Sequence, residues 1–288
     1  MRKKKEGPGE QMGNNESNTR GPVFKWLGTA GFRITREDKV ILIDPYLTRN
    51  ERARPVQGLR PADMADADYI FLSHGHFDHI ADVPEIVETA DAEVYCSPVT
   101  AQTLMNQGVP AGKLHTLSGG DSASLEGFKV SVTACEHIKF DRKLVMNTIP
   151  RLLGEIRSIL PHLRGMPAGP VLNHFFDFGD TTVLHLGSLG LTPEQVPSLG
   201  VPSPDILLIP LQGHSRICRM AAELVAVLRP RVVVPEHHDD FFPPISRMIN
   251  IEPFRVMVKK LAPECIYYEP SINEEFDAKE VLESGGGS

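Results

Sequence analysis

Apolar and polar positions along the chain divide it into short segments of two kinds. Val23-Phe-Lys-Trp-Leu27, Phe32–Thr35 and Val40–Ile43 read as strands, the last two forming a hairpin across Arg36-Glu-Asp-Lys39. A polar connector over 48–68 leads to Tyr69-Ile-Phe-Leu-Ser73, which suits a buried strand. Val83–Thr89 and Val99–Asn106 then have helical spacing on either side of a strand at Glu93–Cys96. Strand and helix alternating in this way predict a β-sheet covered by helices. Short strands follow at Leu114–Leu117, Ser122–Leu125 and Phe128–Ala134, and a second hairpin joins Val171–Phe178 to Thr181–Leu186 across Gly179-Asp180. Asp205–Pro210, Arg231–Val234 and Cys265–Glu269 read as strands, Met220–Leu228 and Phe254–Leu261 as helices.

Three stretches stand outside this alternation. Residues 1–22 are polar and rich in Gly and Asn, with no hydrophobic period, and read as a disordered tail. Residues 271–288, ending Glu283-Ser-Gly-Gly-Gly-Ser288, read as a flexible tail. Between them, 23–270 is long enough for one layered domain. Within it, 138–170 carries Ile149, Leu152, Leu153, Ile156, Ile159 and Leu160 at helical spacing, stopped by Pro161, and predicts a helical insert. Its apolar stripe either packs on the core or lies over a neighbouring site, where it would offer apolar surface to an acyl or aromatic group and arginine to an anion.

Composition narrows the possibilities. A net charge of −7 over 288 residues argues against a general nucleic-acid binder. No apolar run approaches the ~20 residues needed to cross a bilayer. The basic start, Met1-Arg-Lys-Lys-Lys5, has no apolar segment behind it and does not read as a secretory signal. Cys96, Cys135, Cys218 and Cys265 lie far apart, as expected of reduced thiols in a cytoplasmic protein.

The chemistry is concentrated where the strand at 69–73 runs into His74-Gly-His-Phe-Asp-His79. Imidazoles and a carboxylate packed this closely need partners once they leave water, and a divalent metal ion answers that need. In an extended loop His74 and His76 point the same way, so they can close on one ion. Asp78 and His79, where the chain turns into a helix, can aim at a second ion, and Gly75 allows close backbone approach.

These residues resemble the His-x-His-x-Asp-His signature of the metallo-β-lactamase superfamily. Over about 23–270 the chain is similar to the branch containing ascorbate-6-phosphate lactonase and N-acyl-phosphatidylethanolamine phospholipase D. The resemblance implies an α/β fold, a four-layer αββα sandwich, here with a helical insert. It also implies a first ion on His74, His76 and His137, and a second on Asp78, His79 and His237, where the register after Pro235 selects His237 over His238. Asp44 would support the metal loops from behind, although Asp44-Pro45 also reads as a turn. His214, in Leu211-Gln-Gly-His-Ser-Arg216, becomes a candidate substrate contact or proton donor, and Asp78 a group that orients the attacking hydroxide. At Gly187-Ser188-Leu189-Gly190 the chain departs from its relatives: Ser188 aligns with an aspartate that bridges both ions, and a hydroxyl is a far weaker ligand. His185, nearby, reads as a buried, hydrogen-bonded histidine.

The implied activity is that of a metal-dependent hydrolase of lactonase or phosphodiesterase type, in which a metal-held hydroxide attacks a small anionic ester, lactone or phosphodiester. The alternatives are a lipid phosphodiesterase and a non-catalytic metal-binding scaffold or sensor. Zn2+, as one or two ions, is the default, and Mn2+ or Fe suits the same ligands. The expected partner is a small-molecule substrate, with a homo-oligomer left open.

Overall fold

A computed structural model describes residues 20–146, 148 and 167–284. The first sheet is built from β1 (Val23–Gly28), β2 (Gly31–Arg36), β3 (Lys39–Ile43), β4 (Tyr69–Phe71), β5 (Glu93–Cys96), β6 (Leu114–Thr116) and β14 (Glu275–Asp277), in the order β14-β1-β2-β3-β4-β5-β6. The second contains β7 (Ser122–Leu125), β8 (Phe128–Cys135), β9 (Val171–Asp177), β10 (Thr182–His185), β11 (Ile206–Pro210), β12 (Val232–Glu236) and β13 (Ile266–Tyr267), in the order β13-β12-β11-β10-β9-β8-β7. Each sheet begins as an antiparallel meander and continues parallel, from β3 to β6 in one and from β10 to β13 in the other.

Strand alternation sorts the side chains into three apolar layers. Ile41, Ile43 and Phe71 from the first sheet meet Val132, Leu172, Phe176, Leu208 and Val234 from the second in a central layer. The residues between them point outward: Leu42, Ile70 and Leu72 pack under helices α2 (Val83–Ala90) and α3 (Pro98–Asn106), and Leu207, Ile209 and Val233 under α4 (Ile217–Leu228) and α5 (Glu252–Leu261). Helix, sheet, sheet and helix are thus stacked in the four layers expected. Both faces of the parallel strands are buried, which is why Ile206–Pro210 and Val232–Glu236 read as continuous apolar runs rather than alternating ones.

Residues 271–284 correct the expectation of a flexible tail. β14 adds to the free edge of β1, pairing Phe24 with Phe276, whose rings stack 5.3 Å apart. Helix α6 (Ala278–Ser284) follows and buries Val281 and Leu282 in the central layer. The apolar segment Ile149–Leu160 of the predicted insert lies outside the described residues; its flanks show helical residues 142–146 on one side and Pro167-Ala168 on the other. Among the described residues no helix is long and apolar enough to cross a membrane.

Candidate metal centre

The strand ends on one edge of the sandwich supply all of the chemistry anticipated above. β3 ends at Asp44, β4 leads into His74–His79, β8 into His137, β10 into Ser188, β11 into His214 and β12 into His237. C-terminal strand edges are where open α/β sheets gather their ligands. Past β4, the chain stays extended through His76 (φ −69°, ψ 152°) and then coils into the single-turn helix α1 (Phe77–Ile80), which turns Asp78 and His79 away from the His74–His76 pair. Gly75 fits beneath the far end of the insert, its N–H donating to Ala168 O at 2.9 Å.

Among the described residues two groups have the density of a metal site, His74 with His76 and His137, and Asp78 with His79 and His237; within each, the candidate ligand atoms lie within 4.8 Å of one another. In the first group His74 Nε2 and His76 Nδ1 are 3.0 Å apart, and the His137 ring centroid is 5.0 Å from that of His74 and 4.7 Å from that of His76. In the second, Asp78 Oδ2 is 3.3 Å from His237 Nε2 and 3.8 Å from His79 Nε2. The groups adjoin, since the His74 and His79 rings are 4.0 Å apart.

Their inner faces are fixed by a fully buried polar network. Asp44 accepts Ser73 N at 2.7 Å and Ser73 Oγ at 2.5 Å, and its Oδ2 lies 2.9 Å from His79 Nδ1. Because the Ser73 hydroxyl gives its proton to Asp44, it serves as acceptor for His74 Nδ1 at 3.0 Å. His137 Nδ1 likewise faces the Ile138 carbonyl at 2.9 Å, and a carbonyl only accepts. His74 and His137 therefore carry their proton on Nδ1 and leave Nε2 bare toward the site, while His79 presents Nδ1–H to Asp44. The carboxylate role of Asp44 outweighs its turn role, although its backbone does turn: Asp44 and His237 are both left-handed, at φ 41° and 53°. That conformation costs a non-glycine residue on the order of 1–3 kcal/mol and marks functional sites. His237 is held in it by its N–H donating to Thr29 O at 2.8 Å.

Burial and the charges of neighbouring imidazoles hold His74 well below the usual histidine range; burial also lowers His76 to about 4, and lowers His137. These rings are neutral at pH 7 and free to bind metal without losing a proton. Burial pushes Asp78 up, but His79 and His237 outweigh it and hold the carboxylate ionised. His79 is raised against the effect of burial by Asp44 and Asp78. Neutral imidazoles with bare nitrogens converging at hydrogen-bond distance, beside an ionised carboxylate, fit a divalent cation and fit poorly with one another. With three candidate ligands in each group, an ion held there would keep coordination positions open, the arrangement of a catalytic rather than a structural ion.

The model of the beta-lactamase superfamily domain matches residues 23–237, three quarters of the chain. The chain belongs to that superfamily. It is 29% identical over 224 residues to a UPF0173 metal-dependent hydrolase of Pyrococcus horikoshii, covering 77% of this chain and 86% of the relative. A similar protein of Cupriavidus necator is 29% identical over 221 residues, 74% of this chain and 72% of that one. In fold the chain resembles Igni18, a metallo hydrolase of Ignicoccus hospitalis, with a TM-score of 0.66 at 22% identity over 88% of this chain and 97% of the other. The two mixed sheets with their covering helices are the αββα sandwich of the metallo-β-lactamases.

Several polar residues near this edge stay outside the two ligand groups, His238 among them, as the register after Pro235 implies. His238 turns from the site and stacks on Trp26, with ring centroids 4.9 Å apart. His214 is in neither ligand group; its loop packs on the segment after His137, where Ser215 N and Oγ donate to Asp141 at 2.9 and 2.7 Å. Ser188 Oγ is engaged by the Ile138 N–H at 3.1 Å. His185 is fully buried but not hydrogen-bonded as expected: among the described residues neither ring nitrogen has a partner, and Nε2 is 3.9 Å from Asp44 Oδ2 and 3.8 Å from Glu236 Oε1.

Sequence reading missed three buried groups beneath the ligands. Ser73 gives no signal on its own, being one serine at the end of a strand. His174 lies on the inner face between Leu172 and Phe176, a polar residue on the apolar stripe, and its ring stacks 6.1 Å from that of His185. Glu236 continues the inward stripe of Val232 and Val234, and burial holds its carboxyl well above the usual range. Period-two reading of β9 and β12 exposes both anomalies.

Proposed function

We propose that this protein is a metal-dependent hydrolase that cleaves a small anionic ester, lactone or phosphodiester, as its similarity to proteins named metal-dependent hydrolases supports. The observation that carries this reading is the adjacency of two three-ligand groups, His74/His76/His137 and Asp78/His79/His237, at one open edge of the sandwich. Zn2+ suits both donor sets, with Mn2+ or Fe the alternatives. A divalent ion bound there would lower the pKa of water from about 15.7 to about 7 and polarise a carbonyl or phosphoryl oxygen. Asp78, the ionised acceptor of the second group, would orient the attacking water. His214, next to the Gly213 that packs on Ile138, would donate the proton to the leaving group. The four cysteines are free, in keeping with a cytoplasmic enzyme.

Metal content per chain, measured by elemental mass spectrometry, and hydrolysis of a panel of generic lactones, esters and phosphodiesters test this together. The expected result is bound metal and turnover that the His76→Ala protein lacks. A protein that takes up no zinc or manganese, or whose turnover His76→Ala matches, is a scaffold and not this enzyme.

A further inference from the structure

We infer that the substrate carries an apolar substituent, an aryl or medium-length alkyl group, that is held between Phe140 and Phe241 beside the metal centre. This deepens the hydrolase reading and rests on it. Aromatic rings flank both ligand groups. On the first, Phe140, a residue 60% exposed, sets its ring 6.1 Å from that of His137. The ring is seated rather than dangling. Gly213, at φ 94°, passes beneath it, and a Cβ there would fall 3.3 Å from Phe140 Cε1 and 2.7 Å from Ile138 Cγ2. On the second, half-buried Phe241 packs its ring 4.9 Å from His237 and 6.4 Å from Phe77. Phe77 extends that wall toward Tyr46, 5.8 Å away and edge-on.

Two cations near these rings are engaged elsewhere. Arg49, whose charge reaches Tyr46, is buried and spends its guanidinium on Asp239 at 2.5 Å. Lys139, next to Phe140, is paired with Glu136 at 2.9 Å. A negative group on the substrate would be met by the ions held there, and the rings of Phe140 and Phe241 offer apolar contact beside them. Sites of this kind orient a ligand with a few polar groups and bind it through apolar contact. An acetyl-sized substrate would leave both rings in water; an aryl or alkyl chain on the reacting carboxyl or phosphoryl group covers them.

The test uses the full-length, zinc-loaded protein and two carboxylates, acetate and 4-phenylbutanoate, with affinity read by calorimetry. Burying the phenyl group predicts that 4-phenylbutanoate binds roughly tenfold or more tightly than acetate. Phe241→Ala and Phe140→Ala should each remove much of that preference while zinc content stays unchanged. Equal affinities in the parent, or a preference that survives both substitutions, overturns the inference; the exposure of Phe140 keeps this decisive even where Phe241→Ala folds poorly. Hydrolysis measured in parallel separates the two levels. Turnover without the preference rejects the apolar subsite, whereas the preference without any turnover retains it and sinks the hydrolase reading.

Discussion

Ser188 Oγ accepts the backbone N–H of Ile138 at 3.1 Å, which ties the exit of β10 to the loop carrying His137. Ser188 thus acts as an anchor for the loop of a candidate ligand of the first group. Ser188→Ala leaves a buried N–H without a partner and should lower stability by about 1–3 kcal/mol. Zinc affinity should fall with it, because His137 loses its register. Urea unfolding with and without zinc measures both, and a variant as stable as the parent would show that the contact contributes nothing.

Asp44 links the two groups from behind through Ser73 and His79. Asn tolerates the left-handed backbone of this position, so Asp44→Asn isolates the loss of the carboxylate charge. Removing the charged acceptor of a metal-binding imidazole costs roughly 10- to 100-fold in metal affinity or activity. A competition titration against a chromophoric chelator should record that loss, and an unchanged zinc affinity would remove Asp44 from the account of the site.

Gly190 passes so close to the Glu136 carbonyl that a Cβ would overlap it. Backbone lies on both sides of this contact, and no flexible side chain can give way. Gly190→Ala should therefore push the Glu136–His137 segment outward, with zinc content falling by about one ion per chain as the first group opens. Elemental analysis of the folded variant beside the parent checks this; retention of full metal content would mean that the loop moves without disturbing His137.

Acid should destabilise the fold through its inner histidines. Burial lowers His174 to about 3 and His185 to about 4, from 6.5 in the unfolded chain. Between those values the unfolded state binds more protons, so stability is complete above pH 6.5 and drains away as pH falls toward 4. At pH 5 each ring should contribute about 2 kcal/mol less than at pH 7. Chemical denaturation of the metal-free protein at both pH values measures the loss. His174→Phe, an apolar ring in an aromatic layer, should reduce it, and equal acid sensitivity in that variant would contradict the assignment.

Local pattern was enough to determine most of the strands and helices, because side-chain alternation and helical spacing are written in consecutive residues. The His74–His79 cluster was legible for the same reason: four candidate ligands within six positions leave few other uses for such residues. His137 and His237 were placed by likeness to a family, since nothing in a lone histidine at a strand end states where that strand will lie. Tertiary structure decided that they converge on the cluster, because the packing of the two sheets brings the segments after β4, β8 and β12 to one edge of the sandwich. It also decided that Glu275–Asp277 is a strand, a three-residue segment stable only against β1 at the other end of the chain. The anchoring of Ile138 by Ser188 and the burial of His174, His185 and Glu236 beneath the ligands belong to the same class. Each depends on a contact between residues far apart in the chain, whose energy exists only once the two sheets have closed on their common core.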